Sequence, residues 1–87
     1  MPYLVVYDIA DHKKRLKVSR MLQKFGYRIQ YSAFFLDNVN EQTIDFLFTE
    51  LSRIVDPKTD RVFFYPVYEP EIFKGYPLEP WKIFIID

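Results

Sequence analysis

"YLVVYDIADHKKRLKVSR", residues 3–20, joins two patterns of different period. Its first part, YLVVYDI (3–9), is an almost unbroken run of β-branched and aromatic residues, which predicts a strand covered on both faces. Asp11 then supplies the side-chain oxygen that an N-cap needs. Beyond it, Val18, Met21, Leu22 and Phe25 recur at i, i+3, i+4 and i+7, an apolar stripe of helical spacing. Gly26 predicts a helix stop at the C′ position, where a positive φ is needed. Two charged features stand against this apolar frame. Asp8 closes the strand, where acids are depleted, and Lys13, Lys14, Arg15, Lys17 and Arg20 crowd the helix behind it.

The remaining chain repeats the theme. YRIQYSAFFLD (27–37) is extended, and its length predicts a tight turn or bulge near Gln30–Ser32. NEQTIDFLFTELSRIV (40–55) is helical, with Ile44, Leu47, Phe48, Leu51 and Ile54 on one face and Pro57 closing it. RVFFYPVY (61–68) is extended again, and Pro66 confines it to an edge or a bulge. EPEIFKGYPLEP (69–80) reads as a proline-rich surface loop, and WKIFIID (81–87) as a last short strand. The order βαββαβ plus a tail strand predicts an α+β chain, a ferredoxin-like sandwich with two helices on one face of an antiparallel sheet. We expect residues 1–87 to form one domain. The tail strand at 81–87 is surplus to that plan and well placed to pair with a partner chain's sheet edge.

A chain of 87 residues buries only about 60% of the surface it exposes when unfolded. Yet 20% of its residues are aromatic, more rings than so small a core readily hides, which points to a homodimer. The absence of cysteine removes disulfides and thiolate zinc sites and suits the cytoplasm. MPYLVVYD has no basic leader, and no apolar run approaches about 20 residues, so neither a signal peptide nor a membrane span is expected. The formal net charge of zero hides an asymmetry. Residues 12–36 carry Lys13, Lys14, Arg15, Lys17, Arg20, Lys24 and Arg28 without an acid, whereas residues 37–60 are rich in Asp and Glu. A stripe of one sign is the footprint of phosphate contact. The other reading is a solvated helix face balanced by the acidic segment, within the chain or across a dimer.

Several chemistries are excluded. Gly26 and Gly75 cannot build a phosphate loop or a dinucleotide fingerprint. His12 lacks a second His or a Cys at ligand spacing, and Ser19, Ser32 and Ser52 have no nucleophile-elbow context. Asp8 keeps two readings. It either orders the loop to the first helix or pairs with a lysine, or it is a hard-metal ligand. Mg²⁺ often takes only one or two protein carboxylates, with water and phosphate oxygens completing its shell. In a twofold dimer whose axis passes near Asp8, two copies of that acid would face one metal, enough for metal-assisted phosphodiester hydrolysis. Phe34, Phe35, Phe63, Phe64 and Tyr65 raise the rival idea of base stacking on a sheet. The glycine-containing signature of such domains is absent, and adjacent Phe residues point to opposite faces, which favours core and dimer interface.

VVYDI (5–9) followed by KKRLKVSRMLQKFGYRIQYSAFF (13–35) resembles the small CRISPR-associated endoribonucleases of the Cas-two family. The resemblance rests on the order and spacing of Tyr7, Asp8, Arg15, Leu22, Gly26, Gln30, Ser32 and Phe34. Ala33 departs from it where Val is common, and residues 69–80 match no motif. It implies a ferredoxin-like homodimer in which the C-terminal strand completes the partner's sheet. It further implies that Asp8 is the catalytic metal ligand near the dimer seam, holding Mg²⁺ or Mn²⁺ to cleave single-stranded RNA or double-stranded DNA. Tyr7, Ser32 and Phe34 would support it. Lys13, Lys14, Arg15, Lys17 and Arg20 would grip backbone phosphates, giving weak sequence specificity and strong salt dependence. The same resemblance implies partnership with the CRISPR-associated integrase, where nuclease activity can be dispensable. Three roles follow: a metal-dependent endonuclease in antiviral defence and spacer acquisition, a non-catalytic DNA-bridging dimer beside the integrase, and a toxin-like ribonuclease of the related virulence-associated D type.

Overall fold

The computed structural model describes residues 2–67; the expected loop at 69–80 and tail strand at 81–87 lie outside the described residues. The apolar run forms β1 (Tyr3–Asp8), followed by α1 (His12–Gln23), β2 (Tyr27–Gln30), β3 (Ala33–Leu36), α2 (Glu41–Ile54) and β4 (Arg61–Pro66). The four strands make one sheet in the order β2-β3-β1-β4, and each pairing is antiparallel. β1 is thus internal, which is why its sequence is apolar on both sides, while among the described residues β4 pairs with β1 alone. Pro66, its last residue, takes the edge position that a missing amide requires.

Alternation along β1 divides its side chains between two clusters. Val5 and Tyr7 join Phe34 and Leu36 of β3, Val18 and Leu22 of α1, and Leu47 and Leu51 of α2. Both helices therefore pack on the same face of the sheet, and the chain is a ferredoxin-like α+β fold. Fully burying side chains such as Leu22, Phe34 and Leu47 stabilises the fold by about 1.5–3 kcal/mol each before entropy is counted. On the opposite face Leu4, Ala33, Phe35 and Val67 gather with Val6 and Ile29, and no helix covers them among the described residues.

Local signals set the helix starts. The Asp11 carboxylate accepts from the Lys14 amide at 2.9 Å, and Asn40 Oδ1 accepts from the Thr43 amide at 2.8 Å, satisfying amides that a helix leaves free. The long extended segment breaks into β2 and β3 as expected, with a register shift between Arg28 and Gln30 and a turn at Tyr31–Ser32. Two expectations are corrected. Gly26 is not in the left-handed region; an added Cβ would run into the Phe35 carbonyl and lie 2.6 Å from Leu36 Cδ2. Close approach of β3, not φ, requires glycine there. Phe48, expected on the buried face of α2, is 61% exposed and leans on Phe64 with ring centroids 6.0 Å apart. Leu47 and Leu51 fill the core instead.

Candidate metal and nucleic-acid site

Asp8 is the last residue of β1, on the same side of the sheet as Leu4 and Val6, and it is exposed. Its opposite number in β4 is Arg61, so the two Cβ atoms stand roughly 5 Å apart. They do not form an ion pair. The Arg61 guanidinium turns to the carbonyls of Asp60 at 2.7 Å and Pro57 at 3.5 Å. The Asp8 carboxylate accepts no hydrogen bond from the described residues, so it is free to meet a cation from outside.

The loop after Asp8 is held from two directions. Arg15 reaches back from α1 and donates through Nη1 to the carbonyls of Ile9 at 2.9 Å and Ala10 at 3.3 Å. From the other side, Asp60 Oδ1 accepts from the Ala10 amide at 3.1 Å while Oδ2 accepts from the Asp56 amide at 2.8 Å. Asp60 is buried. The Asp56 amide, the Ala10 amide and the Thr59 hydroxyl together hold its carboxyl below the usual range, against the opposing effect of burial. Sequence reasoning missed Asp60 and Arg61. The DPKTD turn (56–60) carries a local signal, since Asp56 Oδ1 accepts from the Lys58 amide. Nothing local marks Ala10 as the partner of Asp60.

The residues expected to support Asp8 lie elsewhere around it. Tyr7 and Phe34 belong to the helix-covered core, on the other side of the sheet, with ring centroids 6.3 Å apart. Burial pushes the Tyr7 phenol up, and the Arg28 charge and a hydrogen bond with Ser19 only partly oppose this, so the ring stays neutral. Ser32, half-buried, uses its carbonyl to accept the Tyr7 amide at 3.0 Å, extending the β1–β3 ladder toward Asp8.

The basic residues divide. Lys13, Lys17 and Arg20 are exposed and share one face of α1 with Lys24 at helical spacing, pointing away from the face that buries Val18 and Leu22. Lys14 and Arg15 are half-buried; Lys14 lies near enough to Asp60 to favour its charged form, and Arg15 organises the loop. The structure therefore brings Lys14 and Arg15 toward the Asp8 end of β1 and sets Lys13, Lys17 and Arg20 on the outer surface, with the sheet between them and the face that carries Asp8. No ion pair ties this stripe to the acidic segment among the described residues, where the ion pair formed is Arg53–Glu50 within α2.

A single chain offers a thin metal shell: no three His, Cys, Asp or Glu side chains gather as a cage among the described residues. Asp8 nonetheless fits a hard cation that keeps most of its water, because it is exposed, unpaired and oxygen-bearing.

Residues 1–74 match the family model described as CRISPR associated protein Cas2. The chain is 39% identical over 64 residues to the CRISPR-associated endoribonuclease Cas2 4 of Rhodospirillum rubrum, covering 74% of this chain and 51% of that relative. It thus spans about half the length of that protein. Streptococcus pyogenes Cas2 superposes with a TM-score of 0.78 at 26% identity, over 90% of this chain and 99% of that one. A chain of a partial Cas6-RT-Cas1–Cas2 complex superposes with a TM-score of 0.67 at 26% identity, over 86% of this chain and 81% of that one. No described helix is long and apolar enough to cross a membrane. The matched family model, the sheet order and the aligned relatives agree: this chain belongs to the CRISPR-associated Cas2 family.

Proposed function

We propose that the chain works in CRISPR adaptation as a homodimeric endonuclease that depends on Mg²⁺ or Mn²⁺, with Asp8 as its metal ligand. The observation that carries this reading is the exposed Asp8 carboxylate, unpaired among the described residues, at the end of an apolar sheet face that no described helix covers. Two such faces packed together would bring the Asp8 copies to one seam. The names of its relatives support a nuclease, and the Cas1–Cas2 neighbour supports partnership with the integrase. When bound, a divalent metal would lower the pKa of a coordinated water and stabilise charge on a phosphodiester. The chain's own residues position Asp8: Arg15 and Asp60 fix the backbone beyond it, and Arg61 leaves it unpaired by turning to carbonyls.

The test is cleavage of labelled single-stranded RNA and duplex DNA by wild type and Asp8→Asn, with metal and with chelator, once both are shown to be dimers. Metal-dependent cutting by the wild type alone supports the reading, and the polymer cut names the substrate. Equal behaviour of the two proteins would remove Asp8 from the chemistry.

One observation favours a second reading, a DNA-bridging dimer that need not cut. Lys13, Lys17 and Arg20 face outward from α1 with the sheet between them and the face of Asp8, so the phosphates they would grip are not those beside the metal. Under this reading duplex binding survives Asp8→Asn and weakens when the stripe is neutralised.

A further inference from the structure

The helix-covered side of the molecule holds a second charged feature. Between the start of α1 and the β2–β3 turn lies a cleft of about 80 Å³ lined by Tyr7, His12, Arg15, Ser19, Arg28 and Tyr31. At about 30 Å³ per water, that is the room of two to three waters, or of one tetrahedral oxyanion.

Its polar groups are held in place from behind. Arg28 donates to the Tyr31 carbonyl and, through Nη2, to Ser19 Oγ at 2.6 Å, and its guanidinium carbon stands 5.1 Å from the Phe34 ring centroid. Ser19 is 6% exposed. Arg15 donates to the Ile9 and Ala10 carbonyls and meets His12 Nδ1 through Nη2 at 3.1 Å. An arginine can only donate, so His12 Nδ1 is the acceptor in this contact, which leaves the ring's Nε2–H as a donor.

Every one of these acceptors is neutral. Neither guanidinium has a carboxylate within ion-pair distance among the described residues, where the ion pair formed is Arg53–Glu50. The neutral Tyr7 phenol adds no negative charge. Two positive charges therefore line one small cleft with no compensating carboxylate among the described residues. Each guanidinium has five N–H donors, and the internal bonds orient the fork without exhausting it. Planar forks of this kind suit phosphate oxygens.

We propose that this cleft binds a phosphate monoester, the terminal phosphate of a nucleic-acid strand or of a free mononucleotide, through Arg15 and Arg28 with His12 Nε2–H as a further donor. A monoester carries about −1.5 to −2 charge at neutral pH, which matches two guanidinium groups better than the single charge of a diester does. Tyr31, 74% exposed beside the cleft, offers a ring on which a terminal base can stack. The choice of a strand end as the source rests on the nucleic-acid role proposed above; the phosphate chemistry of the cleft does not.

The experiment uses Asp8→Asn full-length protein in chelator, so that cleavage and metal play no part. Inorganic phosphate is titrated at constant ionic strength and followed by amide chemical shifts. Shifts at Ser19, Arg28 and Tyr31 support the site. Shifts confined to Lys13, Lys17 and Arg20, or none, overturn it. In the same background Arg28→Gln should weaken phosphate binding by about tenfold or more, the loss expected for a charge-assisted pair, and Arg28→Lys should fall between. Unchanged binding in a folded Arg28→Gln protein also overturns it. Comparison of 5′-phosphorylated and 5′-hydroxyl oligonucleotides then separates the sources. Tighter binding of the phosphorylated strand, lost in Arg28→Gln, assigns a strand end; equal binding of the two strands, with tighter binding of a mononucleotide, assigns the free nucleotide.

Discussion

Asp60 accepts from the Ala10 and Asp56 amides, and those bonds favour its charged form in the folded chain. A carboxyl held below its unfolded value contributes stability that is fully present above that value, about 4 for an aspartate. The contribution is lost as the pH falls through the lower folded value. Wild type should therefore lose thermal stability on acidification below about pH 4. Asp60→Asn should melt lower at neutral pH and show a flatter melting temperature against pH in the acid range. An unchanged acid profile would mean that other carboxylates govern it. Gly26 makes a steric prediction. With the Phe35 carbonyl and Leu36 in the path of a Cβ, Gly26→Ala should cost about 1–3 kcal/mol. At about 4–8 °C per kcal/mol for a domain of this size, thermal denaturation followed by circular dichroism would resolve it.

α1 presents three different surfaces, and each has its own consequence. Its buried side, Val18, Ser19 and Leu22, fixes it to the sheet. Its first turn sends Arg15 back to the loop. Its outer side carries Lys13, Lys17 and Arg20, whose simultaneous replacement by Gln should leave the fold intact and weaken duplex binding. The slope of log K against log salt should shrink by about 0.9 for each phosphate that the variant no longer neutralises, measured by fluorescence anisotropy across a salt series. A slope that does not change would show that the stripe is only a solvated face. The strands, the helices, the Asp11 cap and the confinement of Pro66 to an edge or a bulge were legible because period, capping and a missing amide are local properties; the Asn40 cap is equally local but went unread. Asp8 at the end of the first strand was legible for the same reason, but the sequence left open whether a lysine pairs with it. Arg15 turning inward, Phe48 lying outside the core and Asp60 reaching Ala10 were not, since each depends on which faces meet after the elements pack. Arg28 was one more positive charge in the sequence; its place in a cleft is set by a hairpin turn and by Ser19 on another element.

The sheet has one covered face and one that still carries rings. Tyr27 pairs with Phe35 at 5.7 Å and Phe63 with Tyr65 at 6.0 Å on the side that neither α1 nor α2 covers, where Tyr27, Phe63 and Tyr65 are about half exposed among the described residues, at 58%, 46% and 49%. An apolar face of this kind marks an interaction surface, and the proposed dimer would close it. Phe63→Glu should leave the circular dichroism spectrum of the fold intact and shift the protein to monomer in sedimentation velocity, since placing a charge at the centre of such an interface costs about 2 kcal/mol or more. Cleavage should fall with the dimer if two Asp8 copies share a metal; a monomer that cuts as well as wild type would sink the shared site. The bond from Ala10 to Asp60 has a further consequence, for synthesis. β1 is synthesised before the other elements of this fold, yet the loop beyond its acidic end is anchored at Ala10 by a residue 50 positions later and the strand is paired along β4, so interactions of long sequence separation must form before Asp8 is set. A product truncated before Asp60 would carry Asp8 on an unanchored end, and the growing chain gains its candidate site only as its last described strand docks.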